Sequence, residues 1–137
     1  MIPGLTEPYC IGDDTSEHCY QIIDTKISWK KASDICKHYG GNLVIIESAE
    51  EQKFISDLMK NIKFNVSGLW LGSDKLYPEE QRSWANGDKF SYLNWEPGEP
   101  NSHVIDENCV EIHTNDSRWN DVRCTELNGY ICENSRT

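Results

Sequence analysis

Six cysteines in a chain of 137 residues constrain the fold more than any other feature: Cys10, Cys19, Cys36, Cys109, Cys124 and Cys132. This density in a chain this short reads as a disulfide framework, formed in an oxidising compartment and therefore secreted or extracellular. Zinc is the competing explanation. However, no Cys-x-x-Cys pair occurs, and His18, His38, His103 and His113 lack ligand-like spacing. Six cysteines allow fifteen pairings, and spacing alone selects none of them.

The length fits one domain with a modest core, expected over residues 9–137 behind a tail at 1–8. The longest aliphatic run, Leu43-Val44-Ile45-Ile46, is far too short to span a membrane. Met1 to Glu7 do not read as a signal peptide, so a processed chain or the ectodomain of a larger protein is expected. A net charge of −10 argues against nucleic acid and anionic membrane surfaces as partners.

Cys10 to Cys19 reads as a small hairpin turning at Gly12-Asp13-Asp14, followed by a β segment through Ile23. A helix is predicted from Ser28, its N-cap, to Tyr39, stopped by Gly40-Gly41. Trp29, Ala32, Ile35, Cys36 and Tyr39 form its apolar face. Leu43 to Ile46 is buried and extended. A second helix starts at the capping box Ser48-Ala49-Glu50-Glu51, with Phe54, Ile55, Leu58 and Met59 facing inward. Beyond Lys63, strands are expected at Val66–Gly72, Phe90–Trp95, Cys109–His113, Arg118–Asp121 and Gly129–Glu133. Two helices with short strands and long loops make an α+β fold.

Between Trp95 and Asp121 the side chains are dense in hard oxygen: Glu99, Asn101, Glu107, Asn120 and Asp121. Carboxylates and amides on turns are the donors that Ca²⁺ requires. Glu99-Pro100-Asn101, Glu107 two positions before Cys109, and Trp119-Asn120-Asp121 ahead of Cys124 resemble the calcium and sugar site of C-type lectin domains. The Glu-Pro-Asn order is similar to the mannose-binding branch. Cys19-Tyr20, Trp29 with Ala32 and Cys36, Trp70-Leu71-Gly72 and Gly129-Tyr130-Ile131-Cys132 extend the resemblance from about Cys10 to Cys132.

The resemblance implies a C-type lectin-like fold: two helices, small antiparallel sheets and a long calcium-binding loop region. It implies the pairs Cys10–Cys19, Cys36–Cys132 and Cys109–Cys124. In the chain-entropy model the second would stabilise by about 4–5 kcal/mol and the third by roughly 3 kcal/mol. It also implies a cis Glu99–Pro100 bond and one shared site. Glu99, Asn101, Glu107, Asn120 and Asp121 would hold Ca²⁺ and bind sugar hydroxyls together, with His103 and Val104 as further candidate sugar contacts. Three carboxylates against one dication leave one net negative charge, which suits a neutral sugar. Auxiliary calcium sites in the family use acidic residues where this chain has Ser102 and Asn108, and no second ion is inferred.

The expected partners are glycans or glycoproteins ending in mannose, fucose, glucose or N-acetylglucosamine, with multivalent presentation compensating for a shallow site. The alternative is the same fold binding a protein or another surface. Catalysis is not expected, because an ion-bound carboxylate is held deprotonated and no Gly-x-Ser-x-Gly motif occurs. Asn65-Val66-Ser67 and Asn115-Asp116-Ser117 are glycosylation sequons, the second in a turn.

Overall fold

The computed structural model describes residues 9–12, 17–100 and 108–136. In chain order the elements are β1 (Tyr9–Gly12), β2 (Glu17–Ile27), α1 (Trp29–His38), β3 (Asn42–Leu43), α2 (Ala49–Met59), β4 (Gly68–Trp70), β5 (Cys109–His113), β6 (Trp119–Val122) and β7 (Asn128–Arg136). The strands form one sheet in the order β1-β2-β7-β4-β5-β6, with β3 also pairing with β7. Among the named strands of the described residues, β4 and β7 alone pair in parallel. The antiparallel β2–β7 pair brings the two ends of the domain together. The fold is the expected α+β arrangement.

All three implied disulfides are present. Cys10 and Cys19 are cross-strand partners in the β1–β2 hairpin. Its turn residues Asp13 and Asp14, like the tail at 1–8, lie outside the described residues. Cys36–Cys132 ties α1 to β7 across a Cα separation of 5.5 Å. Cys109–Cys124 closes the β5–β6 unit at 5.2 Å.

Helix α1 begins directly after Ser28, whose carbonyl accepts the Ala32 N–H at 3.0 Å. The Ser28 side chain makes no cap hydrogen bond, so it marks the boundary through its extended backbone alone. The helix stops where Gly40 takes φ +87°, a left-handed conformation that glycine adopts without steric penalty. Trp29, Ala32 and Cys36 are buried as expected, whereas Tyr39 is 38% exposed. Tyr39 caps the helix, and the 3.6-residue period no longer governs its direction there.

Ser48 caps α2 by accepting the Glu51 N–H at 3.1 Å. The reciprocal bond differs from the expected box: Glu51 accepts the N–H of Glu47, not of Ser48. Ile55 and Met59 are buried, and Phe54 and Leu58 are partly buried against the same core. Gln52 is buried among them, a polar residue that the apolar stripe did not anticipate.

Two expected strands change. Regular pairing in Val66–Gly72 covers only Gly68–Trp70. Phe90–Trp95 forms no strand; its one ladder contact is an isolated bridge between Trp95 and Trp119. The aromatic rings of this segment are instead gathered around Trp119. Phe90, Tyr92 and Trp95 meet it edge-on at centroid distances of 6.2, 5.9 and 5.6 Å, and Trp84 joins them at 5.6 Å. Such edge-to-face contacts are worth about 0.5–1.5 kcal/mol each beyond the area they bury. Side-chain clustering, and not a backbone ladder, therefore holds this stretch. It places one core cluster around Trp119 and α2, and a second around Trp29, Trp70 and the Cys36–Cys132 bridge.

Candidate functional site

Strand β6 and the turn before Pro100 lie side by side. Trp119 donates its N–H to the Asn94 carbonyl and accepts the Glu96 N–H, both at 2.8 Å. Glu96-Pro97-Gly98-Glu99 then closes as a type II turn. Proline sits second, Gly98 third with φ +85°, and Glu99 N–H returns to the Glu96 carbonyl at 2.9 Å. The Glu99–Pro100 peptide is cis, in line with the resemblance.

Of the five candidate ligands, three are described. Glu99 is half-buried at the end of this turn, and Asn120 and Asp121 are consecutive on β6. Asp121 is 3% exposed, with the Tyr77 hydroxyl 3.4 Å from its Oδ2. Asn101 and Glu107, with the candidate sugar contacts His103 and Val104, lie outside the described residues.

Asn120 carries a second observation. Its Nδ2 donates to Glu111 Oε2 at 3.4 Å, which leaves Oδ1 turned away from that carboxylate. Two carboxylates and an amide oxygen, from a turn and a strand held in contact, fit Ca²⁺ by donor chemistry. The described part of the site thus suits the ion that the resemblance implies.

Sequence reasoning missed the groups behind this face. Glu111, opposite Asn120 in the β5–β6 register, is a carboxylate only 8% exposed. Its Oε1 accepts Asn128 Nδ2 at 3.1 Å, and its Oε2 lies 3.1 Å from His113 Nε2. Gly68 makes room for it, since a Cβ there would collide with Glu111 Oε1. His113 Nδ1 faces Glu96 Oε1 at 3.2 Å, with Asp116 Oδ1 at 3.9 Å. Burial lowers the His113 pKa. Hydrogen bonds to Glu96 and Glu111, with the charges of Glu111 and Asp116, outweigh it and raise the net value above the ordinary one. The signal was legible: Glu111 and His113 are two apart on a strand and share a face.

A second cluster lies far along the sheet. Glu133 on β7 accepts the Ile45 N–H at 3.0 Å and meets His18 Nε2 at 2.9 Å, and Glu51 completes the group.

The family described as "Lectin C-type domain" matches residues 25–134. The human C-type mannose receptor 2 is 37% identical over 117 residues; the match covers 85% of this chain and 8% of that protein's length. The galactose-specific lectin nattectin of Thalassophryne nattereri is 30% identical over 83% of this chain and 72% of its own length. A crystal structure of the cow CD23 C-type carbohydrate-recognition domain, in the presence of a GlcNAc2Man3 oligosaccharide, superposes with a TM-score of 0.76. It is 32% identical and covers 100% of this chain and 98% of that one. The family match spans most of the chain and the superposed structure shares its fold, so the chain belongs to the C-type lectin domain family.

Proposed function

We propose that the domain binds carbohydrate in a Ca²⁺-dependent manner, with mannose-type specificity, through Glu99, Asn101, Glu107, Asn120 and Asp121. The observation that supports this most directly is the 2.8 Å bond from the Glu96 N–H to the Trp119 carbonyl. It lays the turn ending in Glu99 against the strand of Asn120 and Asp121. When bound, Ca²⁺ supplies open coordination positions for two vicinal sugar hydroxyls. Asn101 and Asn120 would donate to those hydroxyls, while Glu99 and Glu107 would accept from them. The domain is a binding module and not an enzyme, since the same carboxylates cannot both hold the ion and deliver a proton.

The order Glu99-Pro100-Asn101 favours the mannose class over galactose, although one relative is named galactose-specific. Three disulfides favour an extracellular setting. Among the described residues no helix is long and apolar enough to cross a membrane. Both sequon asparagines are exposed; Asn115 lies in the β5–β6 turn, whereas the Asn65 side chain is engaged, donating to Asp24 at 3.1 Å. Asn115 is therefore the favoured glycan acceptor, and multivalent presentation to glycoproteins remains the expected mode of use.

A mannose matrix loaded with calcium and eluted with chelator tests the reading. Release by chelator is the expected result. Equal retention under both conditions overturns it. A glycan array separates mannose-type ligands from galactose.

A further inference from the structure

We propose that His113 is a positioning residue for the Ca²⁺ and sugar site, tying the Glu96–Glu99 turn to the strand that carries Asn120. This inference rests on the function proposed above. The tie is a continuous chain of polar contacts. Asn120 Nδ2 reaches Glu111 Oε2 at 3.4 Å, Glu111 Oε2 reaches His113 Nε2 at 3.1 Å, and His113 Nδ1 reaches Glu96 Oε1 at 3.2 Å. The backbone of Glu96 opens the turn that ends at Glu99. One end of these contacts is therefore Asn120 itself, and the other is the turn that carries Glu99.

Both ring nitrogens face carboxylates. A carboxylate only accepts, so the geometry is satisfied when both nitrogens carry protons and the ring is an imidazolium between Glu96 and Glu111. Asp116 adds a third negative charge to the same side. Without a cation between them, Glu96 and Glu111 would repel, and the turn would be pushed away from β5 and β6. With His113 in place, Glu111 stays fixed beneath Asn120 and holds its amide with Oδ1 turned away. That orientation suits a cation, whereas the flipped amide would present its N–H groups. Outer-shell groups that orient a ligand in this way typically change metal affinity by about 10–100-fold when lost.

The experiment is a Ca²⁺ titration by calorimetry on the folded chain, with mannose binding measured at saturating Ca²⁺. The variants are His113→Gln, Glu96→Gln and His113→Arg. Glutamine has one amide donor group and spans one carboxylate, whereas arginine's fork offers donors to both. We expect His113→Gln and Glu96→Gln to weaken Ca²⁺ binding roughly tenfold or more. Mannose affinity at saturating Ca²⁺ should stay near the parent's, and His113→Arg should recover most of the loss. Parental Ca²⁺ affinity in folded His113→Gln overturns the inference. So does a loss that arginine leaves unrecovered, because the ring would then act by shape alone. Should His113→Gln fail to fold, Glu96→Gln decides, since it keeps the shape of the tie's outer end and removes the charge that pairs with the ring. A parent that binds mannose equally in chelator overturns the proposed function instead, before any variant is compared.

Discussion

Gln52 of α2 accepts the indole N–H of Trp119 at 2.9 Å inside the core. The amide nitrogen of the same side chain donates to the Ser117 carbonyl and to Ser56 Oγ, both at 3.0 Å. One buried amide thus fixes both the start of β6 and the ring that precedes Asn120 and Asp121. Gln52→Leu keeps the volume but leaves the Trp119 N–H and the Ser117 carbonyl without these partners. A loss of about 1–3 kcal/mol in unfolding free energy is expected, measured by denaturant titration. A variant as stable as the parent would show that the amide is dispensable.

Calcium should stabilise the fold, because under the proposed function the ion binds the folded site and not the unfolded chain. At a concentration about a hundredfold above the dissociation constant, the gain is about 2.7 kcal/mol. Melting in saturating calcium and in chelator checks this, and identical curves would count against the site.

The order of acceptor and donor around Pro100 should set the sugar class. Glu99→Gln with Asn101→Asp keeps the summed charge and exchanges the two positions. Hydroxyls in the mannose-like arrangement then meet mismatched partners at about 1–3 kcal/mol each. The double variant should lose mannose while still binding calcium. Competition with mannose and galactose reads the outcome, and an unchanged preference would show that these residues do not read the sugar.

Glu133 predicts a pH dependence unrelated to sugar. Burial, with help from the charge of Glu51, pushes its carboxyl up to about 7, against the opposing hydrogen bond from Ile45 and the contact with His18. The folded state therefore holds more protons than the unfolded chain between about 4.5 and about 7. The contribution is fully present below about 4.5 and is lost as pH rises through about 7, by about 3 kcal/mol at most. Glu133→Gln stays neutral throughout, so its stability relative to the parent should be higher at pH ~8 than at pH ~5. Denaturation in chelator at both values measures this, and a constant difference would refute it.

Much of this protein was legible in its residues because the signals were local. Ser48 and Glu51 mark a helix start, Gly40-Gly41 marks a helix stop, and Cys109–His113 reads as a strand. Each depends on residues a few positions apart, whose geometry the backbone sets by itself. The disulfide pairs came from the resemblance and not from spacing, and the structure bears them out. Only tertiary structure could show that Phe90–Trp95 abandons a strand to pack around Trp119, or that Gln52 is spent on a partner 67 positions away. The same holds for the Glu111 carboxylate, which is buried because Gly68 leaves space and Asn128 answers one oxygen while Asn120 and His113 meet the other. A buried polar group must find its partner wherever the fold brings one, and no periodicity along the chain encodes that meeting.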